Sequence, residues 1–135
     1  MLSLELATAL RDAGLAWKPA PGDRFAMPDR GLDDQTFVLS DMTIQVHELP
    51  KGTVIGFNGT TEWALDDVAK DEAIWLPAED QLRNLLGGTF RRLERGEDGY
   101  QVVTSVLGRE QRYAADTPED AYAHALLALI AAGRD

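Results

Sequence analysis

Residues 58–88 read NGTTEWALDDVAKDEAIWLPAEDQLRNLLGG, and the fold class turns on how this stretch divides. Asn58-Gly59 breaks the apolar run before it. Thr60 can cap a helix over residues 61–70, with Glu62 in the first turn, where the helix dipole favours an acid. Leu65, Val68 and Ala69 give that helix its inner stripe. Residues 73–76 precede Pro77, and the position before a proline is pushed away from helical geometry. Pro77 then suits N1 of a second helix, followed by Glu79 and Asp80. Leu82, Leu85 and Leu86 face inward, and Gly87-Gly88 stops the helix.

The segments on either side of this helix pair are strand-rich. Upstream, TFVLS at 36–40 reads as a short strand. Met42, Ile44 and Val46 then alternate with Thr43, Gln45 and His47, the period of a half-buried strand. Leu49-Pro50-Lys51-Gly52 is a turn, and TVIGF at 53–57 returns, with Gly56 suggesting a bulge or a close backbone approach. Downstream, residues 90–95 and 100–107 are strands joined through Gly96–Gly99, and 110–115 is a third. The middle one is apolar on both faces and reads as a central strand. Thr117-Pro118-Glu119-Asp120 is a helix start of cap, N1 proline and two acids, and residues 121–132 carry the helix.

Residues 3–13 form an amphipathic helix capped by Ser3, with Leu2, Leu6 and Leu10 on one stripe. Gly14 suits the left-handed position that ends it. Between it and the first strand lies WKPAPGDRFAMP, 17–28, whose three prolines exclude regular helix. Trp17 and Phe25 tack this loop to the core. The predicted order is αβββααβββα in one domain over residues 1–135. Hairpin links dominate and no βαβ crossover is evident. The expectation is therefore α+β: largely antiparallel sheet, one of six strands or two of three, with helices packed on it.

Composition removes several chemistries. The chain of 135 residues contains no cysteine, so disulfides, thiolate metal sites and cysteine nucleophiles are out. A chain of this length buries roughly two thirds of its unfolded surface and folds without staples. The formal net charge is −10. Outside Arg91, Arg92 and Arg95 the basic residues are scattered, which argues against direct nucleic-acid binding and against anionic membranes. No basic leader precedes the first apolar residues, and the longest nearly apolar run, 121–132, is too short to cross a bilayer. The expected location is the cytoplasm.

Three sets of residues could carry function. Glu62 with Asp66, and Asp67 with Asp71, are i,i+4 pairs on the predicted helix, with Glu72 beyond. Such carboxylates can hold Mg²⁺ or Mn²⁺ for phosphate-ester hydrolysis. A solvated helix face gives the same pattern, and no second carboxylate helix at matching spacing supports a metal. His47, with Asp41 or Glu48 nearby in sequence, has the type of a general base, but no nucleophile is spaced to meet it. His124 interrupts the apolar last helix and belongs at its edge. Gly87-Gly88-Thr89 follows a helix instead of leading into one, the reverse of a phosphate loop. Asn58–Thr61 is better explained by capping than by anion binding. Of the two tryptophans in the opening stretch, Trp75 suits the core. Trp63 lies off the Leu65–Val68 stripe and, with Phe57 or Trp17 beside it, is the candidate partner-binding patch.

The segments LELATALRDAGLAWKP, NGTTEWALDDV, IWLPAEDQLRNLL and YAADTPEDAYAHALLALI together resemble a group of short bacterial proteins sometimes labelled pilus-assembly proteins. The closing strand-then-TPEDA-helix pattern is also similar to small phage-borne α/β sandwich proteins. Both resemblances imply an α+β fold and neither implies a reaction. The pilus label also covers large ATPases, but this chain lacks the GxxxxGK[ST] loop such enzymes need. The sequence therefore points to a non-catalytic binding or accessory module without a cofactor, acting on a protein partner or on itself. A carboxylate-metal phosphohydrolase and an acidic nucleic-acid mimic are the alternatives.

Overall fold

The computed structural model describes residues 1–28, 32–39, 44–49, 52–57, 67–69 and 73–133. It is an α+β protein whose described strands form three small antiparallel sheets of three strands each. The sequence reading sets one domain over residues 1–135. Contacts within the chain group it into two compact units, one of residues 1–16 with 76–135 and one of residues 17–75.

The 17–75 unit holds two sheets. In the first, β1 (Arg24–Met27) lies between β2 (Leu32–Val38) and β6 (Ile74–Trp75). In the second, β4 (Gly52–Phe57) lies between β3 (Ile44–Leu49) and β5 (Asp67–Ala69). Two expectations change here. The loop assigned to 17–28 contains β1, because its prolines flank RFAM and do not interrupt it, and three of those four residues are buried. The helix assigned to 61–70 is replaced over Asp67–Ala69 by a strand, with Val54 opposite Ala69 and Ile55 opposite Val68. Three apolar residues in a short run fit either period, and cross-strand pairing decides between them. Gly56 stands in regular register opposite Gln45, so it marks no bulge; the register shifts instead between Ala26 and Met27.

Aromatic side chains fill this unit's core. Trp17, Phe25, Met27, Leu39 and Ala73 are buried together, with Phe37 and Trp75 packed against them. Trp17 stacks on Trp75 with ring centroids 6.4 Å apart, and Phe25 on Phe37 at 5.5 Å. Such pairs add about 0.5–1.5 kcal/mol to plain area burial. The Trp17 indole N–H donates to Asp23 Oδ2 at 2.9 Å, and the Ala20 N–H donates to the same oxygen at 3.1 Å.

The other unit is built from the two ends of the chain. Helix α1 (Leu4–Asp12) is capped by Ser3, whose hydroxyl accepts the Leu6 N–H at 3.3 Å. It closes in a Schellman motif: Gly14, at φ 105°, donates to the Arg11 carbonyl, and Leu15 donates to the Leu10 carbonyl. Helix α2 (Glu79–Leu86) has Ala78 at its N-cap and Glu79 at N1, so Pro77 lies one residue before the cap and not at N1, and the Gln81 side chain accepts the Ala78 N–H at 2.9 Å. A short 3-10 turn over Gly87–Thr89 leads into β7 (Phe90–Gly96), β8 (Gly99–Val106) and β9 (Arg109–Ala115). These pair in that order, with β8 central as expected.

Helix α3 (Pro118–Gly133) holds this unit together, packing on α1, α2, β8 and β9. The Thr117 hydroxyl caps it by accepting the Asp120 N–H at 3.2 Å. Its first half carries the buried face: Ala121, Tyr122, Ala123, Ala125 and Leu126 are buried, with Leu82 and Leu86 of α2. The Tyr122 hydroxyl accepts from Arg83 Nε at 3.1 Å and from its terminal nitrogen at 2.9 Å, and the guanidinium lies over the rings of Phe90 and Tyr122. Burial raises the Tyr122 pKa, while Arg83 opposes that shift.

Candidate functional site

The sheet of the 1–16/76–135 unit has two unlike faces. Cross-strand register sets Leu93, Val102 and Tyr113 side by side on one face and Arg92, Val103 and Arg112 on the other. The second face carries a lattice of ion pairs. Arg92 meets Glu94 at 2.6 Å and Glu110 at 3.4 Å; Arg112 meets Glu94 at 3.1 Å and Glu110 at 3.1 Å. Arg112 also donates to Gln101 at 3.0 Å. The hydrogen bond from Arg92, helped by Arg112, holds the Glu94 carboxyl below its usual range. Arginine stems are long and apolar, and the two flank Val103, which is fully buried.

The first face meets α3 and is not filled along its whole length. A groove of about 480 Å³ runs between the β8–β9 hairpin and the C-terminal half of α3. Val106, Leu107 and Tyr113 line it from the sheet, Ala128 and Leu129 from α3, and Leu86 from the end of α2. Arg109 is the charged residue of the lining; Thr89, Thr104 and Gln111 are its other polar groups. The small side chains Ala125, Ala128 and Ala132 leave the space open on the helix side. A second depression of about 410 Å³ lies at the other end of β8, around the β7–β8 turn, with Glu94, Arg95, Glu97, Asp98 and Asp116 as the charged residues of its walls.

The apolar character continues past the groove. Leu127 and Ile130 are half-buried, and Ala131 is exposed. Leu85 is 39% exposed, and Leu107, at the tip of the β8–β9 turn, is 100% exposed. Leu107 also has φ 51°, and among the described residues it is the non-glycine in the left-handed region. That conformation costs an L-residue roughly 1–2 kcal/mol, and hairpin turns of this kind ordinarily place asparagine, aspartate or glycine there.

Of the catalytic, metal and partner-binding candidates singled out from sequence, those the structure describes do not line the groove. Glu62, Trp63, Asp66, Asp71 and Glu72 lie outside the described residues, as does Asp41. Asp67 sits in β5, Phe57 in β4, and His47 and Glu48 in β3, with their side chains outside the description. Trp17, offered as a neighbour of the Trp63 patch, is 5% exposed and belongs to an aromatic core, its N–H bound to Asp23. Trp75 is half-buried, and its indole nitrogen is buried without a hydrogen-bond partner. His124 is exposed on α3. No group of three or more histidine, aspartate or glutamate side chains that could hold a metal occurs among the described residues. No helix among them is long and apolar enough to cross a membrane.

Sequence reading missed the groove. Its signal was faint but present: the last turns of α3 carry apolar residues at every position from Ala125 to Ala132, more than one buried face needs, and a leucine occupies the turn position before Gly108. Comparison with protein-family models, with curated proteins and with solved structures finds no match. The resemblance drawn from the four segments quoted above therefore rests on those segments alone.

Proposed function

We propose that this chain is a non-catalytic protein-binding or accessory module of the bacterial cytoplasm, and that the groove between the β8–β9 hairpin and α3 is where it binds. The observation that carries the reading is Leu107. A fully exposed leucine in a left-handed conformation loses hydrophobic burial and backbone energy at once, and it stands beside an apolar groove. Strained residues of this kind cluster at functional positions, and contacting a partner is the use an aliphatic side chain has. The lining has the composition of an interface centre: charge-depleted, with one tyrosine and one arginine. The strong negative charge of the chain supports the exclusion of nucleic acid and of anionic membranes as direct ligands.

A photo-crosslinking amino acid in place of exposed Gln111 tests the reading in cells. Irradiation is expected to yield a discrete polypeptide adduct, identified by mass spectrometry. Ala128→Trp, which fills the groove from the helix side, is expected to abolish it. Absence of an adduct, or an adduct indifferent to Ala128→Trp, refutes the groove as a binding site.

A further inference from the structure

Resting on that reading, we infer that the partner of the groove is a second copy of this chain, joined antiparallel along β9 about a two-fold axis through Gln111. Among the described residues β9 pairs only with β8, so its other side is a sheet edge, and Arg109 to Arg112 are all exposed. An edge offers a row of main-chain donors and acceptors to another strand.

Symmetry restricts the register. A two-fold normal to the sheet leaves every residue on its own face, so it pairs only residues of one face and passes through a residue. Arg109, Gln111 and Tyr113 lie on the groove face, and Glu110 and Arg112 on the ion-pair face. With the axis at Gln111, Glu110 stands opposite the partner's Arg112 and Arg112 opposite the partner's Glu110. Arg109 stands opposite the partner's Tyr113, a pairing suited to cation–π contact. Moving the axis to Glu110 or Arg112 sets a like charge on itself, and moving it to Tyr113 leaves both arginines facing neutral residues. Among axes at residues 110–113, the charge pattern of Arg109 to Arg112 selects the one at Gln111.

The placement of α3 fits the same arrangement. It packs over β8 and β9, so both copies carry their last helix on one side of a joined six-stranded sheet, beside the seam. The two grooves, with half-buried Leu129 and exposed Ala132, come together there. The net charge of −10 on each chain opposes approach, but β9 itself holds two arginines and one glutamate, which keeps acidic excess off the seam. Exposed ion pairs contribute little affinity; they set the register, while strand pairing and apolar burial hold the copies together.

The absence of cysteine makes the register directly testable. Sedimentation of the native chain at high micromolar concentration is expected to give the mass of two chains. Gln111→Cys, at an exposed position, places the two thiols on either side of the axis, where directly opposed residues come within disulfide reach. It is expected to oxidise rapidly to a covalent dimer. Leu107 is fully exposed but four residues from the axis, about 27 Å from its own mate at ~3.4 Å per residue, so Leu107→Cys is expected to form no covalent dimer under the same oxidation. A monomeric native chain overturns the inference, as does a Leu107→Cys dimer that forms as fast as the Gln111→Cys one. A monomer that still yields a groove-dependent photo-adduct with another polypeptide overturns the dimer alone; loss of both signals overturns the binding reading with it.

Discussion

Asp23→Ala tests the core of the 17–75 unit most directly. Asp23 is 5% exposed, and its Oδ2 accepts two N–H groups, the indole of Trp17 at 2.9 Å and the main chain of Ala20 at 3.1 Å. Both bonds end on a carboxylate, which makes them stronger than neutral ones. The substitution leaves the buried Trp17 donor without an acceptor, a loss of about 1–3 kcal/mol. Adding the second bond and the missing side-chain volume brings the expected destabilisation to about 2–4 kcal/mol. At a urea slope of about 1–3 kcal/mol per molar, that lowers the midpoint by roughly 1–2 M. The assay has a built-in address. All three tryptophans lie within residues 17–75, so indole fluorescence reports that unit, whereas every described helix lies in the other and dominates the far-ultraviolet signal. Asp23→Asn keeps one acceptor oxygen and is expected to cost about half as much. A fluorescence midpoint that stays put in Asp23→Ala, at unchanged slope, would show that the Trp17–Asp23 bond does not hold this core.

The remaining expectations concern the other unit. Thr117→Ala removes the cap on α3 and should lower stability by about 1 kcal/mol, read from the helical signal in urea. Leu126→Ala opens a cavity beneath that helix and should cost about 2–5 kcal/mol by the same measurement. Leu107→Asn relieves the left-handed strain and should raise stability by about 0.5–1 kcal/mol, measured by denaturant midpoint, while weakening groove-dependent crosslinking. Glu94 is held below the usual carboxylate range by Arg92 and Arg112. Its contribution is therefore present above its unfolded pKa of about 4.3 and lost as pH falls through the lower folded value. The stability gap between native protein and Glu94→Gln should be small, present at pH 6 and closed at the acid end of a pH series.

Much of this fold is legible in the chain where local and tertiary signals agree. Ser3 and Thr117 cap their helices, Gly14 ends the first one, and the doubly apolar β8 is central, because each follows from backbone chemistry over a few residues. The reading fails where partners are distant. Asp67–Ala69 has no local cue that separates a helix stripe from a strand paired with β4, and RFAM is too short to announce itself between prolines. The groove failed to show for a related reason. Ala125, Ala128 and Ala132 look like ordinary helix formers, and only the packed structure reveals that their small size leaves a space beside the sheet.

The N-terminal Ser3 donates its main-chain N–H to Asp120 at 2.9 Å, 117 positions away, and the terminal amine reaches Glu119. Time of synthesis is thereby written into the architecture. A ribosome adding about 5–20 residues per second makes α1 roughly 6–23 s before α3 exists to receive it. The 17–75 unit, contiguous in the chain, has all its parts in hand well before then. Vectorial synthesis thus sets an order: the inserted unit can settle first, and the unit made of the two ends closes last, around a first helix that has waited for the final one.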